Sequence, residues 1–344
     1  MIGNDIDKKS IKTLAQLTDK CETVVTTCHV KPDGDAIGSS LALFHILSAL
    51  GKTVHIITPD SPPRSLRFLP GCKDIIAVSA QEDFCRSLIE KADLIFCLDF
   101  NTLSRIDRAE PLINEAKAPK VLIDHHLDPD SFADVTISRP AESSTCALLF
   151  KVICALGLRP IIDKKTATCL MAGIMTDTGN LSYNANDPDL YVIVSDLLRL
   201  GVNKVYLWER LNTKSRNQLR LNAFAIDKRM ESLLGGRASL ITLSDDDLNA
   251  YDYIKGDTEG LVNIPLSIPD VAVSVFMHQE PGFIKVSMRS KGEFPVNKIC
   301  ADHFGGGGHL NAAGGEFKGS MNEAVETLRR VLPDYAGHLP LLEK

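Results

Sequence analysis

Short apolar runs alternate with longer segments of helical pattern over the first 201 residues. The runs at 23–30, 53–58, 93–98 and 120–123 are apolar at nearly every position, so each strand would be buried on both faces. The intervening helices are expected at 38–51, 144–156, 163–175 and 188–200. Doubly buried strands separated by helices form a parallel sheet. We therefore predict an α/β fold, with a parallel sheet and helices on both faces.

The pattern changes in the last third of the chain. A polar helical segment ends at two glycines, Gly235 and Gly236. Beyond it the expected elements are strands at 238–243, 271–277 and 283–288, then helices at 296–304 and 321–331. Because 344 residues exceed what one core usually organises, we predict two domains and a connection. The predicted organisation is a first domain at 1–212, a linker helix at 213–236 and a smaller α+β domain at 237–344.

Composition limits the cellular context and the partners. No apolar stretch is long enough to cross a membrane, and the first ten residues are too polar for a signal peptide, so we expect a cytoplasmic protein without a membrane partner. The nine cysteines include no Cys-x-x-Cys pair, which predicts reduced core thiols. A net charge of -6 argues against binding long duplex nucleic acid but leaves a short nucleotide substrate open. The oligomeric state is open too, a homodimer being one state that the sequence allows.

Metal-binding side chains follow the ends of four apolar runs. They are His29, Asp33 and Asp35 after the first run, Asp99, the triplet Asp124, His125 and His126, and Asp177. Each cluster alone would be a common turn or helix end. Because a parallel sheet gathers such ends at one edge, the four together predict a site for two hard divalent cations. Asp99, near the sheet centre, is the expected bridge between the ions.

The spacing within these clusters suggests different roles. Asp33 and Asp35 flank a glycine, so in an extended loop both carboxylates would face the same side. Neighbours on an extended strand point in opposite directions, so we assign His125 to a metal and His126 to the substrate phosphate or to proton transfer. Asp124 would either orient a histidine, as carboxylates beside metal-bound imidazoles often do, or cap the following turn.

A glycine-rich loop in the second domain is a candidate for binding an anion. Consecutive glycines allow main-chain N–H groups to turn toward a phosphate, although a flexible hairpin is the alternative. The candidate substrate-binding residues are Arg289, Ser290, Gly306, Gly307, Gly308, His309 and Asn311. Arg289 supplies a cation suited to bidentate phosphate recognition.

Together these motifs resemble the DHH phosphoesterase family, named for the triplet at 124–126. The loop at 305–309, followed by Asn311, resembles that of the type-one DHH-associated domain. The resemblance covers nearly the whole chain, and all four metal motifs occur in family order. It implies that one ion is held by His29, Asp33 and Asp99. The second ion would be held by Asp35, Asp99, His125 and Asp177.

Within the family, the size and layout most resemble bacterial nano-RNases that also dephosphorylate 3′-phosphoadenosine 5′-phosphate (pAp). This implies Mn²⁺, with Mg²⁺ or Co²⁺ as alternatives. The implied substrates are RNA or DNA oligonucleotides of two to five residues, cut to 5′-mononucleotides, and pAp, cut to AMP and phosphate. One alternative is a phosphodiesterase for linear dinucleotides from cyclic di-AMP turnover. The other is a non-catalytic nucleotide sensor. A sensor can lose metal ligands, whereas every expected ligand position is filled here.

Overall fold

The computed structural model describes residue 3 and residues 6–341. It divides into two compact units, Met1–Thr213 and Lys214–Lys344. The outer ends of the two predicted domains, at 1, 2, 4, 5 and 342–344, lie outside the described residues.

The first unit is built on a six-stranded sheet. Its strands are β1 (Thr23–Cys28), β2 (Thr53–Thr58), β3 (Ile75–Ala77), β4 (Leu94–Leu98), β5 (Lys120–Asp124) and β6 (Val135–Ser138). Its helices are α1 (Lys8–Lys20), α2 (Gly34–Ala49), α3 (Val78–Ile89), α4 (Glu110–Glu115), α5 (Thr145–Ala155), α6 (Lys164–Asp177), α7 (Pro188–Arg199) and α8 (Lys204–Leu211). The strand order is β3-β2-β1-β4-β5-β6, and every neighbouring pair is parallel. The predicted parallel sheet is therefore confirmed.

Apolar cores cover both faces of this sheet, as the doubly buried strands require. Val24 and Phe96 lie in a core with residues of α2, α5 and α6, whereas Val25 and Ile95 lie in a core with residues of α3 and α4. The strand order reverses between β1 and β4, which are hydrogen-bonded neighbours. In open parallel sheets, ligands bind beyond the carboxyl ends of the strands at such a reversal.

The second unit contains a mixed sheet with helices packed against it. Its strands are β7 (Met230–Leu233), β8 (Ala238–Leu243), β9 (Val273–Glu280), β10 (Phe283–Ser290), β11 (Gly307–His309) and β12 (Ala312–Phe317). Its helices are α9 (Arg216–Arg229), α10 (Asp245–Asn249), α11 (Val296–His303) and α12 (Met321–Val331). The order is β11-β12-β10-β9-β8-β7, and only the β8–β9 pair is parallel. The predicted α+β class of this part is confirmed.

The segment expected as a linker helix, 213–236, contains α9 followed by β7. Leu221 and Ala225 of α9, spaced four residues apart, are buried with Ile241 and Leu243 of β8. This apolar pair fixes one face of α9 to the sheet of the second unit.

Two further expectations concern membranes and thiols. Across residue 3 and residues 6–341, no helix combines the length and apolar character that a membrane span needs. All nine cysteines are free thiols, eight of them buried. The cysteines thus lie mainly in the cores, as expected.

Candidate metal centre

The acidic and histidine side chains of the first unit lie beyond the ends of its central strands. His29 follows β1, Asp99 follows β4, and His125 follows β5. The side chains meet closely: His29 Nε2 lies 3.4 Å from Asp99 Oδ2, and His125 Nε2 lies 3.6 Å from Asp99 Oδ1. Asp177, the last residue of α6, places Oδ2 3.2 Å from His125 Nε2. The structure thus brings together residues that are up to 148 positions apart in sequence.

Asp99 lies at the middle of this cluster and has an unusual backbone. Its φ is +64°, in the left-handed region that few residues other than glycine adopt. Its main-chain N–H donates to the carbonyl of Ile123 at the end of β5, and its side chain is 2% exposed. A short acidic side chain tolerates this conformation better than most. The turn aims Asp99 at two histidines from neighbouring strands.

Asp33 and Asp35 belong to the start of α2, not to an extended loop. The helix begins at Gly34, four residues earlier than expected, because Asp33 Oδ1 caps it by accepting from the N–H groups of Asp35 and Ala36. A helical turn then directs the two carboxylates to different neighbours. Asp33 lies 3.7 Å from His29 Nε2, whereas Asp35 groups with His125 and Asp177.

Two glycines allow α2 to pack closely against α6 near Asp35. A Cβ on Gly34 would lie 2.3 Å from Thr176 Oγ1, and a Cβ on Gly173 would lie 2.7 Å from Asp35 Oδ1. Both distances are below any real Cβ contact, so a larger residue would separate the helices. Close helix packing therefore sets the position of Asp35.

His125 and His126 do not point in opposite directions, because the strand ends at Asp124 and the alternation of side chains stops there. Their ring centroids are 4.9 Å apart, with the planes at 66°. His125 Nδ1 donates to the carbonyl of Glu142 at 3.2 Å, which turns Nε2 toward Asp99 and Asp177. A main-chain carbonyl in this position fixes the tautomer that suits metal binding.

Asp124 contacts His126. Its Oδ1 accepts from His126 Nδ1 at 2.7 Å, and its Oδ2 accepts from the His126 N–H at 3.0 Å. The Asp124 side chain is fully buried, whereas that of His126 is 15% exposed. Asp124 therefore both caps the turn and orients the imidazole, so the two interpretations offered by the sequence are not exclusive.

The N-terminus of α5 supports two of the carboxylates, a contact that none of the metal motifs in the sequence indicates. Main-chain N–H groups of Thr145 and Cys146 donate to Asp35 Oδ2 at 2.6 Å and to Asp35 Oδ1 at 2.9 Å. The Thr145 hydroxyl donates to Asp99 Oδ1 at 2.8 Å. A helix N-terminus stabilises a nearby carboxylate by its unpaired N–H groups and its dipole. The signal in the sequence was Ser144, which caps α5 immediately before an apolar run.

A buried ion pair supports the same segment. Lys151, inside α5 and 3% exposed, places Nζ 2.7 Å from Glu142 Oε1. Glu142 is the residue whose carbonyl accepts from His125. A lysine in an otherwise apolar helix was the available sequence signal, since buried lysines are almost always paired.

The electrostatics of the cluster favour cations. Burial raises the pKa of Asp35 to about 8, and the nearby charge of Asp99 adds to this effect. Burial, with the charges of Asp35 and Asp99, also raises the pKa of Asp177 well above its usual range. Burial opposes ionisation of Asp99 as well, but His29 and His125 keep the pKa of Asp99 below its ordinary value. Burial would lower the pKa of His29, yet Asp33 and Asp99 raise it. The cluster therefore holds protons that divalent cations would replace.

The donor atoms fit such cations. Among the residues that the structure describes, three sets have their ligand atoms within 4.8 Å of one another. These sets are His29, Asp33 and Asp99; Asp35, His125 and Asp177; and Asp99, His125 and His126. Carboxylate oxygens with a few imidazole nitrogens suit Mn²⁺ or Mg²⁺ better than a soft metal. The first unit thus contains acidic and histidine groups that could hold metal ions.

In the second unit, the glycine-rich loop is an edge strand. Gly307, Gly308 and His309 form β11, which pairs with β12 at the edge of the sheet. A Cβ on Gly306 would lie 1.9 Å from the carbonyl oxygen of Gly314, and Gly308 has a φ of +144°. The segment therefore forms a hairpin with β12, in which Gly306 and Gly308 allow close packing of the two strands. Its role in binding an anion stays a prediction.

Ser290 and Asn311 connect this hairpin to β10. Ser290 Oγ donates to the carbonyl of Phe294 at 2.7 Å and accepts from Asn311 Nδ2 at 2.9 Å. Asn311 Nδ2 also donates to the carbonyl of Gly292. These hydrogen bonds give both side chains a structural role, and their part in binding substrate stays a prediction. Arg289 remains the candidate for phosphate binding: it is half-buried, which lowers its pKa, and Nη1 donates to the carbonyl of Met288.

Two family models match the chain in order. The model of the DHH family, N-terminal domain, matches residues 23–174, and the model of the DHHA1 domain matches residues 245–334. The bifunctional oligoribonuclease and PAP phosphatase NrnA of Thermus thermophilus is 32% identical over 302 residues, which are 87% of this chain and 85% of that protein. The cyclic-di-AMP phosphodiesterase GdpP of Geobacillus thermodenitrificans is 24% identical, over 94% of this chain and 49% of its own length.

One solved structure has nearly the same fold throughout. The exopolyphosphatase-related protein of Bacteroides fragilis superposes with a TM-score of 0.95 and 42% identity, over 98% of this chain and 99% of that one. The metal motifs lie within the match to the DHH model or, for Asp177, three residues after it. The relatives of this chain are phosphoesterases. The chain therefore belongs to the DHH family and is a hydrolase of phosphate esters.

Proposed function

We propose that the enzyme hydrolyses oligonucleotides of two to five residues to 5′-mononucleotides, and pAp to AMP and phosphate. The observation that carries the proposal is the gathering of three overlapping donor sets, two of which include Asp99, in one largely buried cluster. The name of the Thermus thermophilus relative, an oligoribonuclease and PAP phosphatase, supports the choice of substrates.

The proposed ligands divide between two divalent ions, with Mn²⁺ as the preferred metal. His29, Asp33 and Asp99 would hold one ion, and Asp35, Asp99, His125 and Asp177 would hold the other. Such a pair supplies a water nucleophile at neutral pH and neutralises charge on the reacting phosphate. The close approach of both His29 and His125 to opposite oxygens of Asp99 supports its role as the shared carboxylate.

The protein side chains have separate proposed tasks. His126 contacts the reacting phosphate or transfers a proton, and Asp124 holds its ring by accepting from Nδ1. Arg289, the glycines at 306–308 and His309 bind the part of the substrate that is remote from the reacting phosphate. Arg289 presents a planar guanidinium suited to a second phosphate.

The proposal is tested by incubating the enzyme and Mn²⁺ with pAp, linear diadenylate, a five-nucleotide RNA and pyrophosphate in parallel. Asp99→Ala should abolish turnover of every substrate, whereas Asp74→Ala, at an exposed carboxylate outside the cluster, should not. We expect turnover of pAp and of both oligonucleotides. Turnover of diadenylate alone would favour the linear-dinucleotide phosphodiesterase, and the relative GdpP is named as a phosphodiesterase of cyclic di-AMP. Binding without any turnover would favour a sensor.

A further inference from the structure

A strained loop follows the last residue of α6. Asn180 and Leu181 have φ values of +60° and +70°, and Asn184 has a φ of +49°. Three non-glycine residues in the left-handed region within five positions cost free energy, and such strain is commonly retained where it serves a function. The loop begins immediately after Asp177, a proposed metal ligand.

Fully buried Thr178 makes several of the hydrogen bonds that hold the loop. Its hydroxyl donates to the carbonyl of Ile174 and accepts from the N–H of Leu181 at 2.9 Å. Its carbonyl accepts from the N–H groups of Ser182 and Tyr183 at 2.8 and 2.9 Å. The backbone of Tyr183 is therefore tied to the end of α6, next to Asp177.

This arrangement presents the ring of Tyr183 to solvent. The residue is 59% exposed, although aromatic rings usually contribute to a core. The ring rests on the main chain of Gly179, where a Cβ would lie 2.5 Å from Tyr183 Cδ2 and 2.7 Å from Cε2. Gly179 is two residues from Asp177, so their Cα atoms are at most about 7.6 Å apart. A nucleotide spans a comparable distance from its phosphate to its base.

We infer that Tyr183 is a stacking platform for the nucleobase attached to the reacting phosphate. The inference rests on the proposed function, since it requires a nucleotide substrate. A tyrosine ring stacks on any base through its π face, so the platform would accept purines and pyrimidines. The glycine beneath the ring and the hydrogen bonds of Thr178 fix its position in advance, which reduces the entropy lost on binding.

The test compares Tyr183→Ala and Tyr183→Phe with Tyr191→Ala, which removes a tyrosine of similar exposure, 48%, from α7. The substrates are linear diadenylate and an analogue in which hydrogen replaces both bases. For diadenylate, Tyr183→Ala should raise KM by roughly 5- to 150-fold with little change in kcat. Tyr183→Phe and Tyr191→Ala should keep the wild-type KM. On the analogue, Tyr183→Ala and the wild type should have the same KM. The Kd of AMP, measured by calorimetry with Mn²⁺, should rise in parallel with KM.

The results that would overturn the inference are distinct. An unchanged KM in Tyr183→Ala, with an active wild type, removes the platform and leaves the proposed function standing. If Tyr183→Ala loses as much activity on the analogue as on diadenylate, or holds less metal than the wild type, the loop supports Asp177 instead of binding a base. A change of oligomeric state in Tyr183→Ala would identify the ring as a subunit contact. If the wild type hydrolyses no nucleotide, the proposed function itself fails, and the platform with it.

Discussion

The hydroxyl of Thr145 is expected to set the affinity of the centre for metal ions. It donates to Asp99 Oδ1 at 2.8 Å, and the two side chains are 0% and 2% exposed. Thr145→Val keeps the shape and leaves the main-chain N–H groups on Asp35 in place, so only this hydrogen bond is lost. Removing an outer partner of a metal ligand typically weakens binding about 10- to 100-fold. We expect a loss of that size for Mn²⁺.

The folded protein should also lose stability, because Asp99 would keep its buried charge with one donor fewer. A hydrogen bond to a buried charged group is worth about 1.5–3 kcal/mol, which sets the expected fall in unfolding free energy without metal. Mn²⁺ affinity is measured by calorimetry and stability by urea unfolding in EDTA. Thr145→Ser is the matched control, since it keeps the hydroxyl and removes only a methyl group. Wild-type Mn²⁺ affinity in Thr145→Val, or equal losses in both variants, would refute the role of the hydroxyl.

The remaining predictions concern His126, Arg289 and pH. His126→Ala should keep its metal content by elemental analysis while turnover falls steeply, and loss of about one ion per chain would reverse the assignment of the two histidines. Arg289→Ala should raise KM for pAp about 10- to 100-fold and affect bis(p-nitrophenyl) phosphate far less, and equal losses would exclude a role in holding a second phosphate. Without metal, the raised pKa values of Asp35 and Asp177 contribute stability that is fully present below about pH 4, the ordinary pKa of an aspartate. The contribution of Asp35 is lost as the pH rises through about 8, and that of Asp177 is lost as the pH rises through its own raised pKa. The melting temperature in EDTA should therefore fall over that pH range. The rise in melting temperature on adding Mn²⁺ should become larger over the same range, whereas a constant rise would contradict the linkage.

The parallel sheet was predictable because its strands are apolar on both faces. The bounds of β2 and β8 match their predicted ranges, since turn residues or polar residues flank each run. By contrast, β3 has only three residues, and nothing in so short a run separates it from a loop. The start of α2 was misplaced because a capping aspartate and a metal ligand look alike in sequence. Asp33 has the features of both.

The candidate centre was predictable from the sequence only in part. Acidic residues at strand ends could be recognised because parallel strands end at one edge, so topology alone predicts that they meet. The supports on α5 could not be recognised in the same way. Their contribution depends on a helix N-terminus reaching Asp35, which lies 110 residues away from Thr145 in sequence. Ser144 marks the start of α5 in the sequence, but main-chain N–H groups carry no residue-specific signal of the carboxylate they contact, so only a three-dimensional structure reveals that contact.

Ser290 and Asn311 show that a polar side chain beside a glycine-rich segment also serves the fold. Both are polar, lie beside a glycine-rich segment and contain donors suited to a phosphate, so composition favours a binding role. Each donor is instead used within the second unit, where Asn311 bridges Ser290 and the carbonyl of Gly292. A buried polar side chain must satisfy its hydrogen bonds in the folded protein, and a residue that does so inside the protein has fewer to offer a ligand. Substrate contacts of this unit should therefore depend on Arg289 and His309 more than on Ser290 and Asn311, whose replacement should lower stability before it raises KM.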